Sequence, residues 1–251
     1  MDKVIVTTSW DDGHPLDLKL AELLQKYDVP ATFYIPISYA KRGCMNPQQI
    51  REIASKFDVG AHSYHHIRLT EISLSEAASE LNDSKKELQE ITGKEVSSLS
   101  YPYGNFNNGL IRIAKDAGFT GARTVTLLTR TIRDPFREGT MVNARNWWFT
   151  HYILHSLASQ DIKLFNFVLG KNLFFKPWDR IAIETLNFVA ENGGIWHLWG
   201  HSWEIAENGD WGRLEVIFQM LSSLPKKIEM MDNSQILARQ AWRGQKQKYD
   251  G

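Results

Sequence analysis

Cysteine is nearly absent. Cys44 is the one thiol among 251 residues, which excludes an internal disulfide and fits a reducing compartment. Its neighbours, "KRGCMNP", place no base beside it, so it reads as a lone thiol on a loop or at a small core position. An excess of either charge is also lacking. The 29 basic and 29 acidic residues cancel, which argues against a surface built for polyanions or membranes, and no nucleic-acid-binding motif occurs. No apolar run reaches transmembrane length without charge. The opening "MDKVIVTTSWDDG" enters a strand-like stretch with no apolar leader core, so the expectation is a soluble, cytoplasmic protein. Nothing bears on oligomeric state.

Tryptophan, by contrast, is abundant. Seven of nine fall between positions 147 and 211. Large aromatics most often fill a core, but their faces also line sugar-binding clefts, and Trp199 and Trp203, beside histidines, are candidates for that use.

Strand and helix signals alternate along the chain. "KVIVTTSW" (3–10) reads as a strand, "LDLKLAELLQKYD" as a helix with Leu16, Leu20, Leu23, Leu24 and Tyr27 at helical spacing, and "VPATFYIPI" as a second strand. Asn46 and Pro47 suit an N-cap and a first helical position. Ser73 and Glu76 have capping-box spacing, and Gly93 is placed to end the same helix. Further helices are expected at about 178–191 and 212–223, a loop within 125–150, and a loosely attached polar tail at about 238–251. No composition break interrupts the alternation, so one domain over 1–251 is expected, with parallel strands and helices packed outside as a barrel or an open sheet. In such folds chemistry gathers at the C-terminal strand ends. That rule selects "DDGH", "HSYHH", "SYPYG" and "HLWGHSW".

Asp11 and Asp12 are adjacent carboxylates at one such end and point in different directions, so one can bind a metal while the other faces a reacting water. The plain alternative is an Asp-Asp-Gly turn. His62 and His66, four apart, can aim two imidazoles at one point, and two histidines with one carboxylate leave coordination positions open. His65, between them, faces elsewhere. A structural zinc site would want four protein ligands, and only three converge.

Taken together, these stretches resemble the polysaccharide deacetylase family of carbohydrate esterases, over about residues 5–205. "TTSWDDGHP" is similar to the family's T-F-D-D-G, with Trp10 for phenylalanine; "HSYHH" to H-[ST]-x-x-H; "SYPYG" to R-x-P-Y-G; and "HSWE" to H-P-W-E. The resemblance implies an α/β fold, a distorted (β/α) barrel of about seven parallel strands, and a divalent ion, zinc before cobalt, nickel or manganese. By position it implies Asp12, His62 and His66 as metal ligands, Asp11 as general base, the Tyr103 backbone N–H as oxyanion donor and His201 as the acid that protonates the leaving amine. The implied reaction removes the N-acetyl group from an amino sugar of a surface polysaccharide or its precursor, so the implied partner is an N-acetylated carbohydrate.

The pattern breaks in two places. Ser100 stands where the third motif has an arginine that orients the base, and the aspartate partner of the fourth motif is not evident. Arg123 and Arg145 are candidates to supply the guanidinium from another strand, the plainer reading for each being a surface or structural salt bridge. With Trp199, Trp203 and His197, the rival of His201, they are also candidates for substrate binding. Two other readings stay open: a cyclic-amide hydrolase of purine breakdown, whose kind tends to lose the Asp-His-His set, and a non-catalytic carbohydrate-binding module, which would lose Asp11 or the terminal histidine.

Overall fold

The first strand-like run becomes β1 (Val4–Asp11), and its pairing with β7 (Gly194–Gly200) is the spine of the sheet: Val4 lies opposite Gly194 and Trp10 opposite Gly200. The structure is a computed structural model and describes residues 3–240, the side chains of residues 149, 151 and 156–158 apart. Beyond β1 come β2 (Thr32–Ile35), β3 (Asp58–Ala61), β4 (Ser98–Ser100) and β5 (Gly121–Arg123), and β6 (Val142–Asn143) flanks β7. The spatial order is β5-β4-β3-β2-β1-β7-β6, every pairing parallel. A short β8 (Glu229–Met230) pairs with Ile5 and Val6 at the base of β1. These seven strands curl into a half-barrel ringed by helices, the distorted barrel that the motifs imply. β2 is buried along its whole length, as a central parallel strand covered on both faces must be.

Between β5 and β7 the ladder gives way to irregular chain that is nonetheless bonded into the wall. The Thr124 N–H donates to the Glu138 carbonyl (2.7 Å), Thr140 to Thr126 (2.7 Å) and Met141 to His197 (2.9 Å). Leu127, Leu128, Thr140 and Met141 are buried here. The loop expected in this region is therefore part of the barrel's closure: its turn-forming composition bends the chain, and its backbone bonds replace a regular strand.

Outside the sheet lie α1 (Asp17–Lys26), α2 (Pro47–Lys56), α3 (Leu74–Thr92), α4 (Asn108–Asp116), α5 (Phe149–Ser159), α6 (Ile162–Gly170), α7 (Trp178–Asn192), α8 (Ser202–Glu207) and α9 (Trp211–Ser222). The capping signals hold. Asn46 and Gln49 close a capping box on α2, Ser73 and Glu76 close one on α3, and Gly93 ends α3 in the left-handed conformation. Three helices escaped the sequence. α8 has six residues, too few to show a period, while α5 and α6 carry apolar residues on exposed positions too (Leu154, Ile162, Leu169), which blurs the stripe. Of the tail, residues 238–240 continue a helical stretch from 233, and 241–251 lie outside the described residues.

Candidate active site

The four selected strand ends open into one cleft of about 410 Å³ at the C-terminal edge of the sheet. Three of them turn through residues in left-handed backbone that are not glycine: Asp12 (φ +80°), Ser63 (+60°), His66 (+52°) and Tyr103 (+59°). Such backbone costs on the order of 1–3 kcal/mol per residue and gathers where a site over-determines the chain.

Asp12, just past β1, lies between the two histidines of the β3–α3 loop. His66 Nε2 is 3.0 Å from Asp12 Oδ1, and His62 Nε2 is 3.6 Å from the same oxygen. The three ligand atoms lie within 4.8 Å of one another, and all three residues are buried. His62 is oriented from behind. Its Nδ1 is 2.8 Å from the Ser100 carbonyl, which can only accept, so the proton sits on Nδ1 and Nε2 presents its lone pair to the site. The His66 ring is stacked on Tyr39 at 4.1 Å and meets the Tyr103 ring at 4.8 Å. Burial holds His66 below its ordinary pKa despite Asp12, so the ring is neutral. For Asp12, burial works against ionisation, but the nearness of His62 and His66 and the charge of His201 hold its carboxyl far below the usual range. Trp203 Nε1 donates to its second oxygen at 2.9 Å. Two imidazoles and one carboxylate, converging and buried, suit zinc or a similar divalent ion and leave positions for water and substrate.

Asp11, the last residue of β1, is held by Arg123 from the last position of β5. The guanidinium donates to Asp11 Oδ2 and, at 2.7 Å, to Ser100 Oγ. Ser100 and Arg123 are register partners on adjacent strands, so a serine at this place leaves room for an arginine arriving from the neighbouring strand at the same height. Arg123 is fully buried and does not line the cleft. The pair is the buried one of the two salt-bridge readings and puts a guanidinium where the third motif lacks its arginine, whereas the substrate contact expected of Arg123 is not made. Burial raises the Asp11 pKa, but the charge and hydrogen bond of Arg123, with His62 and His201, bring it below the ordinary value. Oδ1 of the same carboxylate has no hydrogen-bond partner among the described residues.

Opposite Asp11, His201 begins α8. Its Nδ1 is 2.7 Å from Glu204 Oε2, and its Nε2 is 3.8 Å from Asp12 Oδ2. Burial alone would lower its pKa, but Glu204, Asp12 and Asp11 together raise it to about 9, so the ring is protonated at neutral pH. Arg145 binds the other Glu204 oxygen. Glu204 was missed as a site residue. The signal is present, since a glutamate three places after an N-cap histidine faces back to it, but the family resemblance points to an aspartate in the fourth motif. His197 does not reach the cleft. It pairs with Thr7 midway along the two strands, buried, with Nε2 2.8 Å from Ser9 Oγ and Nδ1 3.6 Å from Glu138, and does not line the cleft, so the substrate contact expected of it is not made. His65 turns outward to Glu80 at 2.6 Å. Trp199, Trp203, Tyr103 and Arg145 all line the cleft, joined by Trp147.

Asp11, Asp12, His62, His66, Ser100 and Tyr103 fall in the part of the chain that a family model recognises and Arg123 just after it, while Arg145, His201, Trp203 and Glu204 lie beyond it. Residues 1–122 match the polysaccharide deacetylase model. Over these residues, just under half of the chain, it is similar to the polysaccharide deacetylase family. Among its relatives, YxkH of Bacillus subtilis (strain 168) is 27% identical over 117 residues, 45% of this chain and 42% of that protein. The peptidoglycan-N-acetylmuramic acid deacetylase PdaC of the same organism is 32% identical over 110 residues, 43% of this chain and 23% of that protein. The chain thus spans less than half the length of these curated relatives. A structure from Mycobacterium smegmatis assigned to the polysaccharide deacetylases shares the fold, with a TM-score of 0.65 at 16% identity over 98% of this chain and 92% of that one. No helix among the described residues is long and apolar enough to cross a membrane.

Proposed function

We infer that the chain is a metal-dependent hydrolase that removes the N-acetyl group from an amino sugar. One observation carries the reading: an ionised carboxylate, Asp11, and a protonated imidazole, His201, share one cleft with a buried three-ligand site, their proton states set apart by opposite environments. A divalent ion held by Asp12, His62 and His66 would polarise the acetyl carbonyl and make water a stronger acid. The chain's own groups do the rest. Asp11, fixed through Oδ2 by Arg123, takes the attacking water's proton on its free Oδ1. As the C–N bond breaks, His201 gives its Nε2 proton to the leaving nitrogen, while Glu204 keeps the ring in place and stabilises its charge. The backbone N–H of Tyr103, in the strained turn after β4, is the donor assigned to the developing oxyanion. Trp147, Trp199 and Trp203 supply apolar wall for a sugar ring or acetyl methyl. The products are acetate and a free amino sugar. The substrate belongs to a surface polysaccharide or its precursor, a reading that the acetylated cell-wall sugar in PdaC's name supports.

Elemental analysis of the wild type beside His66→Ala, with acetate release from N-acetylated sugars, tests this. About one transition metal per chain, lost in the variant together with acetate release, is expected. A protein that takes up no zinc or cobalt on reconstitution rules the mechanism out.

A further inference from the structure

The cleft is lined by three arginines, Arg42, Arg68 and Arg145, beside the carboxylates Asp11, Asp12 and Glu204. Arg42, from the β2–α2 loop, lies over the Trp203 ring, with its guanidinium carbon 3.4 Å from the ring centre. Arg68, from the β3–α3 loop, lies over Tyr103 at 4.4 Å. Both line the cleft, and both supporting rings touch the ligand set: Trp203 bonds Asp12, and Tyr103 packs on His66. Stacking engages the face of a guanidinium and fixes its plane, which leaves the N–H groups of its edge aimed sideways for an oxyanion.

Their existing partners do not neutralise them in a lasting way. Arg42 pairs with Glu207, whose side chain is 60% exposed, and Arg68 reaches Glu71 at 3.7 Å, 68% exposed. Pairs of this kind contribute about 0–1 kcal/mol and exchange readily for a better anion. Arg145, the third arginine of the cleft, is different: it is committed to the buried Glu204. Two stacked, weakly partnered arginines on the wall beside Asp12 and His66 therefore remain for substrate.

We propose that Arg42 and Arg68 form an anion subsite, and that the acetamido sugar this cleft takes carries a carboxylate or phosphate. The assignment rests on the hydrolase reading for the sugar, but the subsite can be tested apart from turnover. In calorimetric titrations of the metal-loaded protein, N-acetylmuramic acid and a phosphorylated N-acetylglucosamine are compared with neutral N-acetylglucosamine. The expected result is at least about tenfold tighter binding of one anionic sugar, since charge-assisted bidentate contacts to arginine are the strong ones. Which anion gains identifies carboxylate or phosphate. The preference falls toward one in Arg42→Ala and in Arg68→Ala, and Arg42→Lys, which keeps charge without the stacked plane, recovers it only in part. Equal binding of all three sugars, or a preference that survives both alanine variants, overturns the subsite. Anion-selective binding with no acetate released from the bound sugar would instead uphold the subsite and remove the hydrolase.

Discussion

Arg123 reaches Asp11 from one strand further along the sheet than the family's motif arginine would, and at the same register height, through a place kept small by Ser100. The guanidinium that the resemblance places on β4 is thus supplied from β5. The consequence is testable. Arg123→Ala strands a buried carboxylate and should destabilise the fold by about 3–5 kcal/mol. Arg123→Lys keeps the charge but not the fork that spans Asp11 and Ser100. It should fold, retain metal, and lose at least about tenfold in kcat with little change in KM. An unchanged kcat in a folded Arg123→Lys protein would show that the pair only supports the fold.

The two aspartates of β1's end should separate cleanly. Asp12→Ala removes a ligand between His62 and His66 and should abolish metal binding, measured by elemental analysis. Asp11→Asn is nearly isosteric and leaves that trio alone, so metal content should match the wild type while kcat falls about 10²- to 10⁴-fold, the range for loss of a general base. Turnover surviving in Asp11→Asn would refute the base assignment.

Asp12, His62 and His66 converge as their spacing suggests, because strand-end loops of a parallel barrel have few places to go, and short motifs encode those ends almost completely. The capping boxes of α2 and α3 were equally legible, being local. What could not be read was anything that depends on two distant segments meeting. Arg123 finds Asp11 across 112 residues of chain, and only the strand register makes them neighbours. Arg42 sits in a loop without a motif, and its stacking on Trp203 depends on where α8 begins. His197 failed for a related reason: four residues separate it, buried midway along β7, from His201 just past the strand's end, and sequence likeness alone does not report depth.

Trp203 should matter to the metal although it does not touch it. Its indole N–H fixes the second oxygen of Asp12 at 2.9 Å. Trp203→Phe keeps most of the apolar ring and deletes that donor. Metal affinity is expected to weaken about 10- to 100-fold, the usual cost of removing such a supporting hydrogen bond. Competition with a chelator of known affinity measures it, and an unaltered dissociation constant would mean that the ligand geometry is set by the β1 turn alone.

Far from the cleft, Asp232 gives the fold a pH dependence of its own. Burial, and then the charge of Asp58, raise its pKa to about 6. In the unfolded chain an aspartate titrates near ~3.9, so between about 4 and 6 the folded state holds the extra proton. Stability from this group is therefore fully present below about pH 4 and is lost as pH rises through 6. Asp232→Asn cannot ionise, and its amide oxygen can still accept the Gln235 N–H that Asp232 Oδ1 accepts at 2.8 Å. The variant should gain on the wild type as pH rises, so the difference in Tm should be larger at pH 7 than at pH 4. Comparing the two proteins at each pH cancels the titration of carboxylates not coupled to Asp232, and a difference that does not change with pH would place the Asp232 charge in water rather than against Asp58.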